Sequence, residues 1–317
     1  MLAFAARRLL VSLGLVCIVA SLVFMVIHII PGDPAELLLS QGGIAPDPAA
    51  VEELRERLGL NDPLWTQYVT YMSGLLHGDF GVALQDEHPI VDEIALRLPR
   101  TLELVGASGL LAVLFGVPLG VAAALRAGSL LDRILSAWAG LALSVPVFVV
   151  GTLAILVLAQ QLKLVSAGGY VPFARDPVRH LALLALPACT IAVGLGGVVF
   201  RVMRSSVLEV LERDYVRAAQ ARGVGPGAII RRHVVRGALT PVVTVLALHL
   251  GSLLGGTVLV EFVFNWPGLS GYLVRSVEAR DYPEVMGIVL VISALFVLLN
   301  FLVDLLYAVI DPRVRHS

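Results

Sequence analysis

Residues 101–125 read TLELVGASGLLAVLFGVPLGVAAAL, a run whose single charged residue is Glu103. A helix needs about 20 apolar residues to cross the hydrocarbon core of a bilayer. The run lacks the alternation of a strand, and backbone polar groups in lipid must be satisfied within their own segment. The stretch therefore predicts a transmembrane helix and an all-α integral membrane protein.

Five further runs on either side share this character. We predict six transmembrane helices near residues 9–30, 101–125, 133–160, 179–200, 241–262 and 284–310. The composition agrees, because 58% of the 317 residues are hydrophobic and 15% are charged, against about 25% charged in a typical soluble domain. The first run follows Arg7 and Arg8 but is too long for a signal peptide and lacks a small-residue cleavage site. We expect it to remain as an uncleaved span.

The basic residues indicate the orientation of the chain. With both ends of a six-span chain inside, the inner segments hold 14 of the 23 basic residues. Segment 31–100 then lies outside, with 12 acidic residues against four arginines. Because basic residues concentrate in cytoplasmic loops, we expect both termini to be cytoplasmic. The predicted parts are residues 1–30 as the tail and first helix, 31–100 as an extracytoplasmic insertion, and 101–317 as the membrane core.

The outer insertion is predicted to contain two helices. Asp47-Pro48 is typical of a helix start, with proline at the first helical position, and Gly59 is predicted to end this helix. A second helix is predicted near 63–76. Its aromatic residues would either anchor at the lipid headgroups or contact a ligand; they are Trp65, Tyr68 and Tyr71.

The arginine-rich segment 201–240 is the most informative part outside the spans. Residues 206–222 are predicted to form one amphipathic helix, which the glycine- and proline-rich run 223–227 ends. A second basic helix is predicted over 228–239, ending before Pro241. Two short helices around a glycine break are typical of a docking element for a partner. The alternative is a solvated basic loop that only obeys the orientation rule.

Residues 214–223, DYVRAAQARG, resemble the signature loop of ABC importer membrane subunits. In that family the pattern is Glu-Ala-Ala, three residues, then Gly. Ala218, Ala219 and Gly223 match it, whereas Arg217 replaces the glutamate, as is usual in the dipeptide, oligopeptide and nickel branch. Further stretches similar to this branch occur in order along the chain: IPGDP at 30–34, LGLNDPL at 58–64, GDFG at 78–81, RLPRTLEL at 97–104, VEFVFNWPGL at 260–269, RDYP at 280–283, DLLY at 304–307 and DPR at 311–313.

The resemblance implies the fold of type I ABC importers and a complex in the bacterial inner membrane. The large insertion after the first span is similar to the one in the first of the two paired permeases of such importers. The implied partners are a second homologous permease, two cytoplasmic ABC ATPases, an extracytoplasmic solute-binding protein and membrane lipid. The implied cargo is peptides or similar small solutes. The residues implied to dock on an ATPase are Leu208, Leu211, Arg213, Tyr215, Arg217, Ala218, Ala219, Arg222 and Gly223.

No cofactor is expected on this chain itself. Its single lysine, Lys163, does not follow the glycine-rich turn of a P-loop, so ATP and magnesium are expected on the partner ATPases. Cys17 and Cys189 lie in apolar runs without a metal-ligand spacing, and the acidic pairs 86–87 and 92–93 have no visible partner. We expect no metal site, no catalytic residue and no nucleic-acid partner.

Polar residues and prolines inside the spans are interpreted separately. His249 and Asn300 lie deepest, and would either bond to a neighbouring helix or line the translocation path. Pro118, Pro146 and Pro187 are predicted to kink or end helices.

Other classes of membrane protein are considered against the same residues. An ion-coupled secondary transporter would need an internal repeat and a mid-span carboxylate, and neither is evident. Gly268-Leu269-Ser270-Gly271 has the form of an intramembrane serine protease motif, but His316 is the only later histidine. A purely structural membrane subunit stays open from composition alone, although it does not account for the docking pattern.

Overall fold

The structure is a computed structural model that describes residues 2–29, 34–39, 47–57 and 59–310. Within these ranges the chain is helical, and its one strand-like pairing is the bridge between Val82 and Pro89. The all-α prediction is confirmed for these residues. Several predicted features lie wholly or partly outside them: the stretches at 30–34, 58–64 and 311–313, and the basic residues Arg313 and Arg315.

The described helices are given in chain order. They are α1 Leu2–Ile29, α2 Pro34–Leu39, α3 Pro48–Arg57, α4 Leu64–Leu76, α5 Ile90–Leu125, α6 Leu130–Ser144, α7 Val147–Ala154, α8 Pro177–Leu211, α9 Asp214–Ala221, α10 Pro226–Ile229, α11 Val235–Gly256, α12 Val258–Val263, α13 Leu269–Glu278 and α14 Tyr282–Ile310. One π-helical turn, Ile155–Gln161, continues α7, and another, Ile230–Val234, joins α10 to α11.

Among the described residues, five helical segments are long and apolar enough to cross a membrane: Ala5–Val26, Ile90–Leu125, Pro177–Leu211, Pro226–Gly256 and Tyr282–Leu305. A sixth crossing results if α6 and α7, with its π turn, count as one span, although they meet at 103°. Pro146 lies at this bend as the residue before α7, and Val145 in front of it is extended, with ψ 126°, a conformation that a following proline favours. The predicted break at Pro146 is confirmed.

Of the two predicted outcomes, a kink or a helix end, the helix end does not occur at Pro118 or Pro187. Both lie inside continuous helices, Pro118 in α5 and Pro187 in α8. In a membrane-spanning segment an ended helix leaves several backbone groups without partners, whereas a proline removes one hydrogen bond. The helix therefore continues through each proline.

The chain divides into two compact units, one of Met1–Pro99 with Gly268–Phe301 and the other of Arg100–Pro267 with Leu302–Ser317. In the first unit, α4 packs on α1 through aromatic rings. The ring of Phe24 lies 5.4 Å from that of Tyr68 and 5.6 Å from that of Tyr71. Burial raises the pKa of Tyr71 to about 12, whereas Trp65 is exposed.

The second unit is organised around α8. Asp176 caps its first turn by accepting a hydrogen bond from the Arg179 N–H at 3.0 Å, and Pro177 follows as the first helical residue. A Cβ atom added at Gly120 of α5 would lie 2.8 Å from Met203 Cβ. Because Gly120 has no side chain, the backbone of α5 packs directly against the Met203 side chain of α8.

Candidate functional site

The segment between α8 and α11 is the predicted docking element. α8 ends at Leu211, and Glu212 and Arg213 separate it from α9. Arg213 has an extended backbone, with φ −68° and ψ 141°. Asp214 then starts a new helix, where a carboxylate complements the helix dipole. The prediction of one helix over 206–222 is therefore wrong, since it divides into the end of α8 and a separate α9.

One face of α9 is buried in the core of its own chain. Val216 is fully buried and Ala219 is 7% exposed. Both belong to a cluster with Val207 and Val210 of α8, and with Ala238 of α11. We call this group of buried residues the coupling core. It extends into the membrane-spanning parts of α5, α8 and α11 through Ala112, Ala124, Leu195, Val199, Met203 and Val242.

The apolar face of the predicted 206–222 helix is a stripe of four residues, Leu208, Leu211, Tyr215 and Ala219. Most of this stripe packs against other parts of the same chain. Leu208 and Leu211 pack, partly buried, against the coupling core, and Ala219 belongs to it. Tyr215 alone among the four stripe residues is exposed, at 49%. The prediction of a single outward stripe is wrong because the break after α8 changes the rotation of α9 relative to the preceding helix.

The outward face of α9 carries small and basic residues. Arg217, Ala218, Ala221 and Arg222 are all exposed. Arg213 is exposed as well, and forms an ion pair with Glu209 at the end of α8. This face combines positive charge with alanines that allow close approach of another surface.

Gly223 ends α9 in a left-handed conformation with φ 77°. The Gly223 N–H donates to the Gln220 carbonyl at 2.9 Å, and the Val224 N–H donates to the Ala219 carbonyl at 3.2 Å. These two bonds form a Schellman motif, which favours glycine at this position. A Cβ atom here would meet nothing within 4 Å, so the backbone angle, and not packing within the chain, requires glycine.

The second basic helix predicted over 228–239 is not a separate element. α10, the π turn and α11 continue from Pro226 to Gly256 as one candidate span, and Pro241 lies inside it. A cavity of about 690 Å³ opens beside Tyr215. Its other lining residues are Arg231, Arg232, His233, Arg236 and Gly237. The cytoplasmic end predicted for the fifth span thus extends the basic surface next to α9.

The two residues predicted for a translocation path lie in different units. His249 is exposed on α11. The Asn300 amide donates to the Phe296 carbonyl within α14 at 2.8 Å. That hydrogen bond is local, so the prediction that Asn300 bonds to a neighbouring helix receives no support from it.

Comparison with known proteins identifies the family. The family described as "Binding-protein-dependent transport system inner membrane component" matches residues 116–316. The N-terminal family of the same transport systems matches residues 1–105. The chain belongs to this family. It is a permease subunit of an ABC importer, as the resemblance implied, and the expectation of a non-catalytic subunit is confirmed.

Two full-length relatives agree with this assignment. The permease is 37% identical to the dipeptide transport system permease protein DppB of Alkalihalophilus pseudofirmus, over 100% of both chains. It is 39% identical to the glutathione transport system permease protein GsiC of Escherichia coli strain K12, again over 100% of both. Among solved structures, an inward-facing MetNI methionine ABC transporter is similar to 69% of this chain and 96% of its own, with a TM-score of 0.54 and 20% identity. This likeness confirms the predicted fold.

The permease also contains polar contacts that sequence patterns did not indicate. His180 is buried, with Nδ1 2.7 Å from the Val171 carbonyl and Nε2 2.6 Å from the Glu103 carboxylate. On the other side of the unit, Arg204 donates two hydrogen bonds to the buried Asp132, at 2.6 and 2.8 Å. Each pair joins residues more than 70 positions apart, so no local spacing could have predicted it.

Proposed function

We propose that this permease forms half of the translocation path of a bacterial importer for peptides, with a second homologous permease forming the other half. The full-length identity to relatives named for dipeptide and glutathione transport supports this solute class, since glutathione is itself a tripeptide. An extracytoplasmic solute-binding protein delivers the peptide, and two ABC ATPases bind the ATP and magnesium that drive the cycle.

The outward face of α9 is the proposed docking surface for one ATPase. Exposed Arg217 and Arg222 would meet acidic side chains there, and exposed Ala218 and Ala221 permit close contact. The buried face, Val216 and Ala219, would transmit the movement to α8 and α11 through the coupling core. The observation that carries this proposal is the division of an eight-residue helix into one buried and one exposed face.

The proposed docking places α9 and both termini in the cytoplasm. The distribution of basic residues supports this orientation, and the exposed arginines around the basic cavity extend the same charge pattern. His249 and Asn300 remain candidates for the path, because polar side chains at membrane depth favour protein or water over lipid.

The solute class is tested by reconstituting the permease with its second permease, ATPases and binding protein in liposomes. In vesicles whose ATPases face the interior, with the binding protein and a radiolabelled dipeptide outside, we expect uptake of the dipeptide only when ATP is enclosed in the vesicles. Uptake of glutathione but not of the dipeptide would restrict the proposed solute class to glutathione. If neither is taken up while ATP hydrolysis is intact, the assignment of peptides as the solute is contradicted. An ion gradient imposed without ATP is the control, and it should give no uptake.

A further inference from the structure

A rigid hairpin in the first unit places a cluster of ligand-type side chains beside α14. The hairpin runs from residue 81 to residue 90. The Ala83 N–H donates to the His88 carbonyl at 2.9 Å, and the Ile90 N–H donates to the Gly81 carbonyl at 3.1 Å. The Leu84 N–H donates to the Asp281 carboxylate at 2.6 Å. The tip of the hairpin is therefore fixed against the connection from α13 to α14.

His88 contributes an imidazole that the protein satisfies only on one side. Its Nδ1 contacts the Asp86 carboxylate. Its Nε2 is buried and has no hydrogen-bond partner among the described residues. A buried ring nitrogen without a partner is unfavourable, because it has lost its contacts with water. Asp86 lies on the Nδ1 side of the ring, so an ion shared by Asp86 and His88 would bind Nδ1 and not Nε2.

Glu284 brings a second carboxylate from the first turn of α14. It is 8% exposed and accepts hydrogen bonds from the Tyr272 hydroxyl and the Ser276 hydroxyl, both at 2.6 Å. These two bonds fix its orientation, and each carboxylate oxygen keeps a further lone pair. Asp86, His88 and Glu284 each present one ligand atom, and these atoms lie within 4.8 Å of one another.

We propose that His88 Nδ1 and one carboxylate oxygen from each of Asp86 and Glu284 bind a divalent transition-metal ion of the class of Zn²⁺, which would replace the hydrogen bond between His88 and Asp86. One imidazole nitrogen and two carboxylate oxygens are a ligand set that Zn²⁺ accepts, with water completing the coordination. Asp86 is exposed, which gives the ion a path from solvent. The bound ion ties the hairpin to the start of α14, two segments almost 200 residues apart in sequence. This site runs against the expectation from sequence, where Asp86 had no visible partner.

The test uses the assembled importer, purified through an affinity tag without histidines and stripped with a chelator. Zn²⁺ is then titrated in competition with a chromophoric chelator. We expect one tight site per copy of this permease. His88→Gln and Glu284→Gln should each weaken binding by about 100-fold or more, in line with the loss that second-shell changes alone produce at metal sites. His77→Gln is the matched control, since His77 is exposed at the end of α4, and it should bind like the wild type.

A structural readout accompanies the titration. Zn²⁺ should raise the melting temperature of the wild-type complex and of His77→Gln, and should leave that of His88→Gln unchanged. If Glu284→Gln fails to assemble because Tyr272 and Ser276 lose their acceptor, His88→Gln alone decides the outcome. Equal Zn²⁺ binding by wild type and His88→Gln, or no Zn²⁺ binding by the wild type in the titration, would overturn the site and leave only the contact between Asp86 and His88. Neither outcome bears on the proposed transport function.

Discussion

Gly223 separates two physical roles that a glycine can have at a docking helix. Its φ of 77° disfavours residues with a Cβ atom, but no atom of the chain lies within 4 Å of an added Cβ. Asparagine tolerates this left-handed conformation better than other residues. Gly223→Asn and Gly223→Val therefore distinguish backbone strain from close approach of a partner.

We expect both variants to reach the membrane and both to lower the amount of peptide transported per ATP hydrolysed. Val should lose about 1–2 kcal/mol of local backbone stability, whereas Asn should lose much less. If Gly223→Asn lowers the peptide transported per ATP as much as Gly223→Val does, the partner approaches Gly223 closely. Normal uptake by both variants would be incompatible with docking at this helix. Transport and hydrolysis measured in the same proteoliposomes give the ratio.

Val216 is the residue through which α9 is anchored to the rest of the unit. Val216→Ala leaves a cavity in the coupling core, so we expect a loss of about 2 kcal/mol in stability and a lower melting temperature of the complex. Val224→Ala makes the same chemical change at a position that is 39% exposed. This control should change stability by no more than about 0.5 kcal/mol. Equal effects of the two substitutions would show that α9 is not packed as described.

Residue-level prediction from the sequence succeeded for the helix end at Gly223 and failed for the stripe. The glycine signal depends only on local backbone chemistry, which a short motif contains. The stripe of Leu208, Leu211, Tyr215 and Ala219 assumed one uninterrupted helix, and the break at Arg213 rotates its second half. Val216, which carries the contact, is therefore absent from the predicted stripe.

At the scale of elements, α6 is joined to α8 by the Asp132–Arg204 pair. Asp132 is nearly inaccessible to solvent, and Arg204 is partly exposed. Asp132→Asn should lower the melting temperature, because Arg204 then keeps its charge without a partner. The double variant Asp132→Asn with Arg204→Gln should recover part of that loss. The melting temperatures of the wild type, the two single variants Asp132→Asn and Arg204→Gln, and the double variant together form a double-mutant cycle.

The Arg213–Glu209 pair provides the comparison for this prediction. Both side chains are more than half exposed, and exposed ion pairs contribute little to stability. Glu209→Gln should therefore leave the melting temperature almost unchanged. A drop as large as that of Asp132→Asn would mean that burial does not decide the importance of these pairs.

Hydropathy predicted the spans well because length and apolarity are local properties. It could not predict the 103° bend within the third apolar region, where Pro146 ends one helix and starts another. It also missed the close approach of α5 and α8 at Gly116 and Gly120, since the partner residues Val199 and Met203 lie about 80 positions away. Contacts between distant elements depend on the fold, and a single sequence does not state them.

At the scale of the whole molecule, energy released in the ATPases is proposed to reach the membrane helices through α9. The coupling core supplies a continuous packed route, because α9 shares buried contacts with α8 and α11, and the same cluster includes residues of α5. Close-packed interiors transmit displacement with little compression. Movement of α9 should therefore move the ends of these helices that lie next to α9 together.

The most direct test introduces a photoreactive benzophenone side chain at position 218 of the assembled importer. We expect irradiation to link the permease to an ATPase subunit, because Ala218 is exposed on the outward face of α9. The same group at position 178 is the control, since Val178 is 79% exposed at the opposite end of α8, and it should give no such product. A cross-link to an ATPase from position 178, with none from position 218, would contradict docking of the ATPase on α9.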